Sequence, residues 1–330
     1  MIEEETTARL LRLGGMRAEV PTDREDRVRR AFLDECRAVA RTRVVRRRTV
    51  TVAAGLSMAA AVILAVRFWL PREVTPSVYA VVATVERLEG SGARMIGQRA
   101  STAPTQIGPA DTLRAGDQIE TGATGRVSLR LSQGVSLRFD RGSRARLVSA
   151  SAIALGAGAV YVDSGSQAPH LEIHTSFGIV RDIGTQFEIR LSDSSLRVRV
   201  RSGVVEVRSG GRGDDVSSAR PGTELTLGPA GVTSRAVAPY GPEWAWAASL
   251  GPAFEMEGRP LDAFLEHLCR EQGWTLAYAD PKLALDASGM ILHGSTTGLQ
   301  PSDALAVALA TTGLTHRLED GELLVARIER

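Results

Sequence analysis

Lysine is almost absent from this 330-residue chain: Lys282 is the only one, so nearly all of the 40 basic side chains are arginine. A phosphate-binding P-loop needs a lysine ahead of Ser or Thr, which excludes nucleotide hydrolysis of that kind. Cysteine is scarce too. Cys36 and Cys269 are too few for a four-cysteine zinc site or a multi-bridge scaffold. Charge of one sign is missing as well: 40 basic against 38 acidic residues leave a net charge of +2, so no global field favours nucleic acid, and no nucleic-acid partner is expected. No G-x-S-x-G, H-E-x-x-H or G-x-G-x-x-G occurs, and the paired carboxylates Asp214 and Asp215 lie in a Gly/Ser loop without the apolar setting that tunes a general acid. The residues therefore read as a non-enzyme with no cofactor. What the chain does have is 43% apolar residues and 33 glycines, enough for two or three domains with buried cores and many turns.

One long hydrophobic run stands out. Thr49 to Val66, TVTVAAGLSMAAAVILAV, carries no charge; as a helix it would span ~27 Å, close to the ~30 Å hydrocarbon core of a bilayer. Phe68, Trp69 and Leu70 extend it and Pro71 ends it, which predicts a transmembrane helix over 49–70. On its N-terminal side Arg37, Arg41, Arg43, Arg46, Arg47 and Arg48 occur with no acidic residue among them, which predicts a cytoplasmic N-terminus and a C-terminus on the far side of the membrane. A cleaved signal peptide ending near Ala80 and a buried core helix are the rival readings, although the 48 preceding residues are long for an ordinary signal. Residues 1–70 hold 14 basic and 9 acidic side chains and the remainder 26 and 29, so the far-side portion is mildly acidic.

The residues before the membrane form a helical tail, 1–48, in which Val28, Phe32, Cys36 and Val39 share one helical face and could meet a partner. A linker, 71–79, follows. From 80 to 238 the texture changes to short alternating runs such as Arg126 to Leu131, Phe187 to Leu191, Leu196 to Arg201 and Val204 to Arg208, the period of half-buried strands. Glycines precede strands at Gly116, Gly134, Gly158, Gly178, Gly203 and Gly222. That loose spacing predicts a mainly β domain, either a β roll or solenoid-like coil or a sandwich. A Trp/Pro/Gly-rich linker, 239–252, leads to a small α+β domain, 253–330, with the order α-β-β-α-β-β and an optional first strand at Ala253 to Glu257. Its first helix, opened by Pro260 and stopped by Gly273, has Leu261, Phe264, Leu265, Leu268 and Cys269 on one face.

The β region resembles the FecR domain of transmembrane signalling regulators. The resemblance rests on Leu113 to Gly122, containing Gly116 and Asp117; on Val127 to Phe139 and Gly158 to Val162; on Val180 to Ile189, containing the Gly-Thr-x-Phe signature as Gly184, Thr185 and Phe187; and on Val198 to Val207 with Gly203, then Pro221 to Thr223 with Gly222. The last portion is similar to the short secretin/TonB N-terminal (STN) module. The resemblance implies an inner-membrane regulator whose tail controls an extracytoplasmic-function sigma factor, acting as an anti-sigma factor in transcription regulation. Its periplasmic part would take a signal from a TonB-dependent transducer or another periplasmic protein. The tail has no Trp before Trp69, where family tails commonly carry one. The signature residues themselves have a structural reading: glycines for backbone conformation, Phe187 for the core.

Two clusters invite chemistry. His170, Glu172 and His174 would share one strand face, with neighbours ~6.8 Å apart; a metal could bridge them, and a solvated polar face explains them as well. Arg197, Arg199 and Arg201 would likewise line one face, either as a ridge for an acidic partner or as an exposed charged strand face. The rival to signal transduction is a cell-envelope binding or scaffold protein whose sheet holds a ligand.

Overall fold

The computed structural model describes residues 80–97, 104–165, 170–210, 215–229, 231–296 and 298–328. The expected tail, membrane helix and first linker lie outside them, together with Val28, Phe32, Cys36 and Val39. Among the described residues no helix is long and apolar enough to cross a membrane.

Alternation of apolar and polar side chains produces the strands β1 (Val81–Glu89), β2 (Arg94–Ile96), β3 (Thr105–Gln106), β4 (Thr112–Arg114), β5 (Gln118–Glu120), β6 (Arg126–Leu131), β7 (Ser136–Phe139), β8 (Arg144–Ser149), β9 (Ala152–Asp163), β10 (Glu172–Thr175), β11 (Gly178–Leu191), β12 (Leu196–Ser209), β13 (Val216–Ala219), β14 (Thr223–Gly228) and β15 (Gly231–Ala236). They join in one 15-stranded sheet with the path β15-β14-β12-β11-β10-β9-β7-β6-β1-β4. Its ladders are antiparallel except β9 with β10, so strands do not stack in parallel as a solenoid requires. The sheet curls instead, and both halves of its long strands feed one apolar cluster. Ile153, Ile173, Val180 and Val205 enter that cluster from one half, Val162, Phe187, Ile189 and Val198 from the other.

The long strands differ from the sequence expectation in an instructive way. Leu196 to Arg201 and Val204 to Arg208 read as two strands separated by a Gly turn, yet they are one strand, β12, that bends at Gly203. Gly203 has φ +77°, a conformation that side chains resist, and a Cβ there would lie 2.6 Å from the carbonyl oxygen of Gly184. The β11–β12 ladder shifts register between Ile183 and Gln186, opposite this bend. The glycine thus steers the chain around the core without ending the strand. Gly116, Gly184 and Gly222 also have positive φ.

The C-terminal residues form β16 (Arg259–Pro260), β17 (Thr275–Tyr278), β18 (Ile291–Leu292), β19 (Leu314–Glu319) and β20 (Glu322–Arg327), with helices α1 (Ala245–Ala248), α2 (Leu261–Gln272), α3 (Pro281–Gly289) and α4 (Pro301–Leu309). The sheet and the C-terminal residues fall in a single unit, Thr75–Arg330. The expected α+β texture holds, with two corrections. Helix α3 was not expected, although Asp280 and Pro281 are a start signal: the Asp280 carboxylate accepts a hydrogen bond from the Lys282 N–H at 2.9 Å, and Pro occupies the first turn, where no N–H is needed. The optional strand at Ala253 to Glu257 is absent, and a two-residue pairing of Arg259 and Pro260 with Ile291 and Leu292 takes its place. The apolar face of α2 packs Leu261, Phe264, Leu265 and Cys269 into a second core with Leu305, Leu323 and Val325. Burial there pushes the Cys269 thiol up to about 12, so it stays a thiol at neutral pH.

Candidate functional site

The outer face of the curled sheet carries a dense row of charges, and the register explains how it is assembled. One cross-strand row runs Arg138 (β7), Tyr161 (β9), Glu188 (β11), Arg199 (β12), Glu224 (β14) and Arg235 (β15). Cations and anions alternate along much of it, as favours directly opposed side chains. Glu188 receives Arg190 at 2.9 Å and Arg197 at 3.3 Å. Glu224 is gripped by Arg199 and by Arg235, the latter at 2.6 Å. Although burial alone would raise Glu224, the hydrogen bonds and charges of those arginines hold its carboxyl below the usual range.

This face is not open to solvent over Arg199 and Arg201, which are 6% and 5% exposed. The expected exposed arginine ridge is therefore corrected. Arg197 is partly exposed, Arg199 is committed to Glu224, and Arg201 points beneath the segment that follows the sheet. Alternation alone reads a polar strand face as a wet one, whereas a second layer covers this one.

The cover is the Trp/Pro/Gly-rich segment, which is more than a linker. Pro242–Trp244 forms one 3-10 turn, continued by α1, and Trp244 and Ala247 pack with Ala159 and Tyr161 in a small separate core. Arg201 lies between layers: its guanidinium sits 4.5 Å from the centre of the Trp244 ring and donates to the carbonyls of Pro239 at 2.8 Å and Glu271 at 2.9 Å. Trp244 itself donates to the Ala238 carbonyl at 2.9 Å. Burial pushes the Tyr161 hydroxyl up to about 12, so it remains a neutral acceptor for Arg201 at 3.3 Å.

The buried tie between sheet and C-terminal residues is made by Arg138, 0% exposed. Its two terminal nitrogens donate to Glu271 of α2 at 2.7 and 3.0 Å, and one also reaches the Ala247 carbonyl at 2.8 Å. This fork matches a carboxylate in two-point geometry. Burial would lower the Arg138 pKa, but the charge and hydrogen bonds of Glu271 outweigh it and hold the pKa above the ordinary value. Arg270 pairs with Asp163 beside it, and Gly273, which ends α2, approaches Pro239 so closely that a Cβ would sit 2.1 Å from its carbonyl oxygen. Sequence reading did not single out Arg138, Glu271, Tyr161 or Trp244. The usable signal was an arginine inside an otherwise apolar strand, VSLRF, which asks for a buried partner.

The other expected residues fall elsewhere. Phe187 is fully buried. Asp117 accepts the Arg114 N–H at 2.8 Å within a turn that begins at Arg114. Thr185 bonds through its hydroxyl to the buried Asp182 carboxylate and through its N–H to Ser164 at 2.8 Å. The histidine trio is brought together only in part: Glu172 lies 3.7 Å from His174 and is held by Arg181 at 2.5 Å, whereas His170 precedes β10 and its Nδ1 lies 2.9 Å from the Asp182 carbonyl oxygen. Among the described residues no group of three His, Cys, Asp or Glu side chains is placed to hold a metal.

Asp182 carries a testable consequence. Desolvation raises its pKa despite the hydrogen bonds from Thr185 and Ser164, and its Oδ2 has no partner. A raised carboxyl pKa favours the fold below the ordinary carboxylate range, and that contribution is lost as pH rises through the folded value. Asp182→Asn mimics the protonated form, so it is expected to be more stable than the parent at neutral pH, with the gap closing near pH 4 and below. Urea unfolding at both pH values measures this, and a gap unchanged with pH would contradict it.

Comparison with known proteins places the sheet. Residues 117–206 match the family model described as FecR protein. No curated protein matches the chain. Two solved structures of a candidate anti-sigma factor from Parabacteroides distasonis align with 64% of this chain and 99% of theirs, at 15% and 16% identity, each with a TM-score of 0.33. The FecR match runs from Asp117, beside β5, to Glu206 in β12, so it spans the strands that supply Arg138, Tyr161 and Arg201. Over residues 117–206, then, this chain is similar to the family described as FecR protein.

Proposed function

We propose that the chain is a single-pass inner-membrane signal-transducing regulator: residues 1–48 hold an extracytoplasmic-function sigma factor in the cytoplasm, 49–70 cross the membrane, and the sheet and C-terminal unit receive a signal in the periplasm. The FecR match over residues 117–206 carries this reading. The uncharged run at 49–66 and the arginine-rich flank ahead of it support the topology. The C-terminal α+β unit, read as a secretin/TonB-type module, is the docking platform for a TonB-dependent transducer or another periplasmic protein. The buried Arg138–Glu271 tie supports a relay: a partner that seizes the C-terminal unit loads the sheet directly, because an ion pair joins the two and the segment between them packs Trp244 and Ala247 on Tyr161 rather than hanging as a slack linker.

Co-expression of the tagged full chain with candidate extracytoplasmic-function sigma factors tests the proposal. One sigma factor is expected to co-purify, and deletion of residues 1–48 is expected to abolish both retention and the transcriptional effect. Retention of none, or an unchanged transcriptional output after the deletion, would overturn it.

A further inference from the structure

The opposite half of the sheet holds a second cationic feature that the buried junction does not use. On its outer face β5, β8, β9 and β10 lie side by side, and the register lines up Gln118, Arg146, Ala154 and His174 in one row. The row continues through Ile179 to Arg208. Their strand neighbours Ile119, Leu147, Ile153 and Ile173 point the other way, into the core, so this row faces outward. The small residues Ala154 and Gly156 leave a trough of about 520 Å³, walled by Arg144 and Arg146 on one side and by His174 and Thr175 on the other. That volume lies within the ~300–1,000 Å³ of small-molecule sites.

The charges around it are unbalanced. Arg146 and Arg208 have no ion-pair partner among the described residues, whereas the acids beside the trough are already engaged: Glu120 by Arg144 at 3.2 Å, and Glu172 by Arg181 at 2.5 Å. No Phe, Tyr or Trp ring lines the trough, so an uncharged sugar finds none of the large apolar faces on which sugars stack. The guanidinium fork of Arg146, which no carboxylate occupies, suits carboxylate or phosphate oxygens. We propose that this trough binds a small anionic ligand, about one sugar ring in size, whose carboxylate or phosphate group is held by Arg146 over the Ala154–Gly156 floor, with Arg144 at its wall already paired to Glu120. This goes beyond the sigma-factor reading and does not depend on it, because no residue of the tail or of the Arg138–Glu271 junction takes part.

Calorimetric titration of the purified full chain at low ionic strength, with inorganic phosphate and separately with glucuronate, tests the site. Saturable binding of at least one probe is expected, and which of them binds distinguishes a phosphate from a carboxylate ligand. Arg146→Gln is expected to weaken that binding at least tenfold with an unchanged melting temperature, as befits an exposed side chain. Arg220→Gln, an exposed arginine remote in sequence, is expected to leave it unchanged. Failure of both probes to saturate, or equal weakening by Arg220→Gln, would overturn the proposal.

Discussion

Glu271→Ala is expected to cost about 3–5 kcal/mol, the loss typical of breaking a buried ion pair by removing one partner. Arg138 would keep its charge at 0% exposure with the Ala247 carbonyl, at 2.8 Å, as its remaining hydrogen-bond acceptor; its Nε already lacks a partner. For a unit of this size the loss corresponds to a drop in melting temperature on the order of 10 °C. The mechanism makes a second claim that simple misfolding does not. Taking both charges out of water carries a large desolvation cost, so replacing both members with apolar side chains, Arg138→Met with Glu271→Leu, is expected to recover most of the stability. Limited proteolysis gives an independent readout, since loosening the junction should expose the chain between Pro239 and Gly258 in Glu271→Ala and not in the double variant. A Glu271→Ala protein that melts within a degree of the parent would show that the tie contributes nothing to holding the sheet and the C-terminal unit together.

Gly203→Ala is expected to lose about 3 kcal/mol or more, whereas Gly134→Ala loses about 1–2. Both glycines have positive φ, +77° and +91°, so the backbone penalty is shared. Their surroundings differ. A Cβ at Gly134 meets nothing within 4 Å, while one at Gly203 would lie 2.4 Å from Thr185 Cγ2 and 2.6 Å from the Gly184 carbonyl oxygen. A side chain can rotate away from such a clash. The carbonyl cannot move without disturbing the β11–β12 ladder, where Gln186 pairs with Ser202 between two register shifts. Equal losses at the two positions, measured by urea unfolding, would mean that the close approach at the bend is not what demands glycine.

Much of the strand content was legible because alternation reports directly on which residues are half buried. The strand Arg126–Leu131 and the closing hairpin around Asp320 and Gly321 appear as expected, since period and turn chemistry are local. Helix α2 does too: Pro260 precedes it, and Gly273 ends it with φ +71°. The joining of Leu196 to Arg201 with Val204 to Arg208 was not legible. A glycine that bends a strand and one that ends it look the same in sequence, and only the neighbouring ladder distinguishes them. The arginine ridge failed for a related reason. Arg199 and Arg201 alternate with valines as an exposed face would, and nothing local reveals that Glu224 takes Arg199 or that Trp244 lies against Arg201.

From the sequence alone come the charge inventory, the uncharged run at 49–66 and the apolar alternation of the sheet, because each depends only on residue type and spacing along the chain. Tertiary structure decided which charges meet. Arg138 and Glu271 are separated by 133 positions and become partners only when the curled sheet sets its outer face against α2. The pairing of distant groups is a property of register and docking, and it turns side chains that read as solvated surface into a buried clasp on one half of the sheet and an open cationic trough on the other.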